Sequence, residues 1–65
     1  MDRAEAWKRY DRYFTMYRMA LMEARMARIF WYEPDRCYQY LRMAAHERRQ
    51  LFRVVRYMKA CGYLD

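Results

Sequence analysis

The stretch from Ile29 to Tyr40, IFWYEPDRCYQY, decides the fold of this 65-residue chain. It holds the only proline, Pro34, between two acidic residues. Proline lacks a backbone donor and disfavours the helical conformation of the residue before it, so a helix arriving from the N-terminus is expected to end near Tyr32. In the first turn of a helix the missing N–H costs nothing, and Pro34 is well placed to begin a second helix. The stretch therefore predicts the turn of a helical hairpin.

The segments on either side of this turn have the composition of long helices. Asp2 and Glu5 have the spacing of a capping box, in which an acidic N-cap accepts hydrogen bonds from the first free N–H groups. Between Ala4 and Tyr32 there is no Gly, Pro or Ser to oppose a helix. Gly62 supplies the residue that commonly follows a helix end. The predicted elements are helix 1 over about residues 3–32, a turn over about 33–35 and helix 2 over about 35–61.

Each predicted helix carries an apolar seam with residues spaced by three and four. In helix 1 the expected seam is Trp7, Tyr10, Phe14, Tyr17, Leu21, Ala24 and Trp31, with Ala20, Ala24 and Ala27 forming a strip of small residues beside it. In helix 2 the expected seam is Cys37, Tyr40, Ala44, Glu47, Leu51, Val54, Met58 and Cys61, widened on one side by Leu41, Ala45, Phe52 and Val55. With a turn near residue 34, antiparallel helices are expected to meet at positions that sum to about 68, such as Phe14 and Val54.

Composition indicates that this hairpin needs a partner. Thirteen aromatic residues and seven methionines are more large apolar side chains than two helices can cover between themselves. A single core in a chain this short rarely supplies more than about 3–5 kcal/mol. The predicted fold is therefore an all-α antiparallel two-helix hairpin, one domain over residues 1–65, that dimerises into a four-helix bundle.

The half of helix 1 nearest the turn is apolar almost all round. Three methionines and an isoleucine lie opposite the seam, and three consecutive aromatic residues follow them. Methionine adapts to irregular surfaces, and aromatic side chains anchor interfaces. The predicted protein interface, called the methionine surface below, consists of Met19, Met22, Met26, Ile29, Phe30, Trp31 and Tyr32. Either a second copy of the chain or a different protein fits this surface.

Charge predicts another surface, on helix 2. The chain has 14 Lys and Arg against 8 Asp and Glu, for a net charge of +6, and arginine binds carboxylates and phosphates in bidentate geometry. Five basic residues share one stripe opposite the helix 2 seam, with no acid among them. This basic stripe consists of Arg42, His46, Arg49, Arg53 and Arg56. It is interpreted as a site for a phosphate backbone or an acidic protein, or else as an ordinary solvated helix face.

No motif commits the chain to a reaction. His46-Glu47 begins like the helical zinc-protease signature, but Gln50 stands where that motif needs a second histidine. Neither Cys37 nor Cys61 has a histidine within one helical turn to activate it. We therefore expect no enzyme activity, no catalytic residue, no metal or other cofactor and no small-molecule substrate.

The cysteines and the hydropathy pattern predict the compartment. Cys37 and Cys61 fall about 36 Å apart on one helix, too far for a disulfide bond, which favours free thiols in a reducing compartment. No apolar run reaches the roughly 18 residues of a membrane span, and the N-terminus lacks the apolar segment of a signal peptide. The chain is expected to be soluble and cytoplasmic.

Two hypotheses for function follow. The first is a small non-catalytic binding module, an inhibitor or adaptor of the kind found in phages or mobile elements, that binds protein through the methionine surface. The alternative is a nucleic-acid-binding dimer that uses the basic stripe. A cationic helix lying on an anionic membrane fits less well, because the basic and aromatic faces belong to different helices.

Overall fold

The computed structural model describes residues 1–64. Two helices, α1 (Arg3–Ile29) and α2 (Pro34–Ala60), pack against each other along their length, and a four-residue turn joins them. The hairpin is a narrow rod of 44 × 17 × 14 Å, and no described residue belongs to a strand. The predicted all-α two-helix hairpin is thereby confirmed.

Asp2 caps α1 as the sequence predicted. Its Oδ1 accepts a hydrogen bond of 2.8 Å from the backbone N–H of Glu5, and its backbone is extended, as the N-cap position requires. The Glu5 carboxylate forms an exposed ion pair with Arg9 at 3.5 Å. Such a pair contributes at most about 1 kcal/mol, so the cap is the stronger of the two interactions at this helix start.

The structure ends α1 at Ile29, whereas the sequence predicted an end near Tyr32. The prediction considered only the effect of Pro34 on the residue before it. An antiparallel hairpin also needs enough chain to cross between two helix axes about 8–10 Å apart. Residues 30–33 make that crossing. The three consecutive aromatic residues of the methionine surface therefore lie in the turn and not on α1.

Tyr32 reverses the direction of the chain. Its φ of 52° is the left-handed conformation that usually belongs to glycine at a helix end. The N–H of Glu33 then donates to the carbonyl of Ala27 at 3.0 Å, and the carbonyl of Glu33 accepts the first backbone hydrogen bond of α2. Tyr32 is 82% exposed, so packing of its ring offsets little of the cost of this backbone conformation.

The helix face that α1 packs against α2 is rotated from the predicted one, although Tyr10, Tyr17 and Ala24 belong to both. The residues of α1 that are buried or half-buried at alternating steps of four and three are Ala6, Tyr10, Tyr13, Tyr17, Ala20, Ala24 and Ala27. The predicted seam residues Trp7, Phe14 and Leu21 are 36–38% exposed. Each follows a true seam residue by one position, which turns it about 100° around the helix. The strip of alanines, predicted to lie beside the seam, is part of the seam itself.

The seam of α2 agrees with the prediction over most of its length. Ala44, Leu51, Val54 and Met58 are buried. Cys37, Tyr40 and Glu47 of the predicted seam are half-buried, and Cys61 at the C-cap is exposed. Of the four residues predicted to widen the seam, Val55 is half-buried, but Leu41, Ala45 and Phe52 are exposed, so the predicted widening is wrong at these three.

The register of the two helices is shifted from the predicted one. The turn is centred between residues 31 and 32. Residues of the two helices are therefore level with each other when their numbers sum to about 63, whereas the predicted sum was about 68. Ala6 accordingly packs in one cluster with Val54 and Met58. Phe14, which was expected beside Val54, lies at the edge of the hairpin.

The open end of the hairpin is closed by the residues that follow α2. Gly62 has φ of 72°. Its N–H donates to the carbonyl of Lys59 at 3.2 Å, and the N–H of Tyr63 donates to the carbonyl of Met58 at 2.8 Å. These two hydrogen bonds form a Schellman motif, which requires the left-handed glycine. The Tyr63 ring then packs against the buried cluster around Met58.

Two tyrosines bind the first residue at this end. The hydroxyls of Tyr57 and Tyr63 donate to the carbonyl of Met1 at 2.9 and 3.1 Å. A hydrogen bond with the Cys61 side chain, together with burial, raises the pKa of the Tyr57 phenol above its ordinary value. The neutral phenol is the donor, so this contact is present below pH of about 10 and is lost as the pH rises through the raised pKa.

The left-handed turn residue yields a test of stability. Tyr32→Gly is expected to raise the free energy of unfolding by roughly 0.5–1 kcal/mol, because relief of the left-handed strain outweighs the extra freedom of glycine in the unfolded chain. Urea unfolding followed by circular dichroism measures the change. Tyr38→Gly, the same substitution at an exposed position inside α2, is the matched control and should destabilise by about 1 kcal/mol. Equal losses in both variants would contradict the strained turn.

The rotated seam yields a second test. Ala20→Gln is expected to lower the free energy of unfolding by at least about 2 kcal/mol, because the amide would be forced between two closely packed helices. Phe14→Gln should cost only about 1 kcal/mol, since this larger apolar residue lies at the edge of the seam. The same urea titration ranks the two variants. The opposite ranking would support the seam predicted from the sequence.

Candidate functional site

The hairpin leaves more large apolar side chains on its surface than it buries. Among the described residues, seventeen of them are at least 36% exposed, whereas five of the eight buried residues are alanines. The accessible surface is 5499 Å², against about 4,600 Å² expected for a monomeric protein of this mass. The candidate sites of this protein are therefore open surfaces.

The methionine surface is exposed in all seven of its members. Its three methionines lie on the side of α1 opposite the seam, Ile29 lines a depression with Cys37 and Leu41 of α2, and its three aromatic residues form the turn at one end of the rod. The turn is held by a local chain of contacts. The Arg36 guanidinium lies 5.5 Å from the centroid of the Trp31 ring, and its Nε is 2.9 Å from the Glu33 carboxylate. These contacts present Trp31 in a defined position.

The basic stripe lies on the outer face of α2, as predicted. All five of its residues are exposed, and none forms an ion pair with another residue of the range 1–64. From Arg42 to Arg56 the stripe runs for about 21 Å along the helix. Arg42 also stacks over the Tyr38 ring at 5.9 Å. The stripe is a row of four arginines and one histidine available to an anionic ligand.

The structure shows a third surface, which the sequence did not identify as a site. It is a groove along one side of the hairpin, made of adjoining depressions of about 480, 390 and 340 Å³. Neighbouring depressions have lining residues in common, namely Leu21 and Arg28 of α1 and Cys37 and Leu41 of α2. The groove is therefore continuous from the turn to Phe52. We call it the lateral groove.

The lateral groove has a small-residue floor and apolar walls. Ala24, Ala44 and Ala45 line it between the helices. Leu21 and Leu41 rise on either side of them and are exposed. The groove is open here because these alanines fill little of the space beside the helix contact.

A signal for the lateral groove was present in the sequence. The same three positions are apolar in three successive heptads of helix 1: Ala6, Trp7 and Tyr10, then Tyr13, Phe14 and Tyr17, then Ala20, Leu21 and Ala24. Two positions in each heptad are enough for a seam with one partner helix, and a third is typical of a helix with a second neighbour. Of the residues Trp7, Phe14 and Leu21, which exceed the two needed in each heptad, Leu21 lines the groove. All three were expected in the seam with helix 2, and for that reason the groove was not predicted.

Charge is distributed unevenly around the lateral groove. Four arginines line it, Arg25 and Arg28 from α1 and Arg48 and Arg49 from α2. The only acid in its lining is Glu33, whose carboxylate is paired with Arg36. None of the four arginines forms an ion pair within residues 1–64. The groove is thus an apolar channel with a positive rim on each helix.

The described residues show no other chemical centre. Cys37 and Cys61 are free thiols, the first half-buried in the lateral groove and the second exposed. Within residues 1–64 no three His, Cys, Asp or Glu side chains are grouped so as to hold a metal ion. Neither helix has an apolar stretch long enough to cross a membrane.

No protein-family model, curated protein or solved structure matches this chain. Its function therefore has to be inferred from its three surfaces.

Proposed function

We propose that this protein is a small non-catalytic protein-binding module that acts as an inhibitor or adaptor by covering a surface of its partner. The observation that carries the proposal is the excess of exposed over buried large apolar side chains. Burial of each such side chain contributes about 1.5–3 kcal/mol. A hairpin whose own core is mostly alanine gains more from a bound partner than from any internal rearrangement.

The methionine surface is the first contact site in this proposal. Met22 and its neighbours are flexible and polarizable, which suits a surface that adapts to its partner. Trp31 supplies a rigid anchor at the end of the rod, held by Arg36. The two features together fit a contact that approaches from the turn end.

A second copy of the chain is one partner that this surface fits. Two hairpins that pair through their methionine surfaces form the four-helix dimer predicted from the sequence. Light scattering at two protein concentrations and moderate salt should then give the mass of a dimer for the wild type. Met22→Asp should give the mass of a monomer with unchanged circular dichroism, because a carboxylate would be buried in the contact.

Met43→Asp is the matched control for this dimer test, since Met43 is an exposed methionine of α2 outside the methionine surface. This variant should remain dimeric. A wild-type monomer at both concentrations would overturn self-association and assign the methionine surface to a different protein.

A second candidate function is nucleic-acid binding by the basic stripe, favoured by its row of unpaired exposed cations. If the stripe binds phosphates, Arg49→Ala combined with Arg53→Ala should reduce the slope of log affinity against log salt by about 2. Fluorescence anisotropy with a short RNA duplex and a single-stranded oligonucleotide measures it.

The control for the stripe is Lys8→Ala combined with Arg12→Ala, which removes the same charge from exposed positions of α1. An equal loss in both double variants would mean that only net charge is sensed. Absence of binding by the wild type at low salt would eliminate this second function.

A further inference from the structure

We propose that the lateral groove binds an acidic amphipathic helix of a partner protein, which packs against α1 and α2 as a third helix. This inference rests on the proposed protein-binding function and specifies the chemistry of the partner. It is carried by the shape of the groove, by its charge and by the apolar pattern of α1.

The dimensions of the groove suit a helix. It follows α2 from Pro34 to Phe52, a length of about 27 Å, which corresponds to about five helical turns. The alanines of the floor permit close approach of another backbone, and the leucines of the walls can interdigitate with side chains spaced by three and four residues. This is the geometry in which an amphipathic helix lies in a groove between two others.

The rim of the groove selects the charge of that helix. Arg25 and Arg28 stand on the α1 side, and Arg48 and Arg49 on the α2 side. A helix whose apolar stripe is flanked on both sides by Asp or Glu would place carboxylates next to both pairs of arginines. Lysines at the same positions would meet like charges on each side.

The same charges disfavour a second copy of this chain as the occupant. In a two-fold symmetric dimer formed through the groove, each arginine-lined rim would face the arginine-lined rim of the other copy. Glu23 and Glu47 lie outside the groove lining and would not compensate. The groove is therefore complementary to an acidic protein segment and not to itself.

The test uses a synthetic helical peptide of about 20 residues, with leucines at core positions and glutamates on both flanks. A second peptide carries lysines in place of the glutamates. Fluorescence anisotropy with the full chain is expected to show binding of the glutamate peptide at least tenfold tighter than that of the lysine peptide. The preference should decrease as salt rises.

Two groove variants locate the binding site. Leu41→Asp is expected to weaken binding of the glutamate peptide at least tenfold. Ala45→Arg should weaken it similarly by filling the floor, although its added positive charge favours an acidic ligand, so this variant separates shape from charge. Met43→Asp places the same carboxylate on an exposed methionine of α2 outside the groove lining and should leave the affinity unchanged. Circular dichroism checks that each variant stays folded.

Other outcomes overturn the inference in distinguishable ways. Equal affinity for both peptides would reject the charge selection. If Met22→Asp weakens binding and the groove variants do not, the site is the methionine surface, and the protein-binding function stands without the groove. If Leu41→Asp turns a dimer into a monomer, a second copy occupies the groove. If neither peptide binds and an RNA duplex does, the inference and the proposed function both fail.

Discussion

The close contact between the alanines of α1 and the seam of α2 is the constraint on which the rest of the structure depends. Ala20, Ala24 and Ala27 are buried on α1, and Ala44 is buried on α2. Side chains this small permit close approach of the two helices in the half of the seam nearest the turn. In the other half the seam of α1 consists of Ala6 and three half-buried tyrosines. Trp7 and Phe14 lie beside these tyrosines, on the side of the hairpin, where they add to its exposed apolar surface.

A core made of alanines loses little conformational entropy on folding but also contributes little to stability. An alanine loses no side-chain entropy on burial and also removes little apolar area from water. Met58, with Val54 and the tyrosines around it, forms the one region of larger buried side chains, at the open end of the rod. The turn end has alanines in the seam and apolar residues outside. A partner that bound there would stabilise the fold by mass action.

Charged residues are distributed unevenly over the surface of the hairpin. The basic stripe contains no acid, and within residues 1–64 the only acid that lines the lateral groove is Glu33, which is paired with Arg36. Glu47 lines a separate depression beside the stripe with Arg42 and His46. A field of one sign speeds the encounter with an acidic partner and suppresses association with basic ones. The stripe and the groove rim meet at Arg49, which belongs to both, and both favour an acidic partner.

The sequence by itself determined the hairpin, the cap at Asp2, the left-handed Gly62 and the seam of α2, because each depends on local backbone chemistry or on the spacing of apolar residues. It also located the exposed methionines and the basic stripe, which follow from helix periodicity alone. Only the tertiary structure decided which face of α1 is buried. Because Trp7, Phe14 and Leu21 are larger and more apolar than alanine, the sequence favours them as core residues. The distance between two packed helices, however, depends on the side chains of both helices at once. The lateral groove follows from the same choice, since it exists only where α1 and α2 leave their larger side chains on one side.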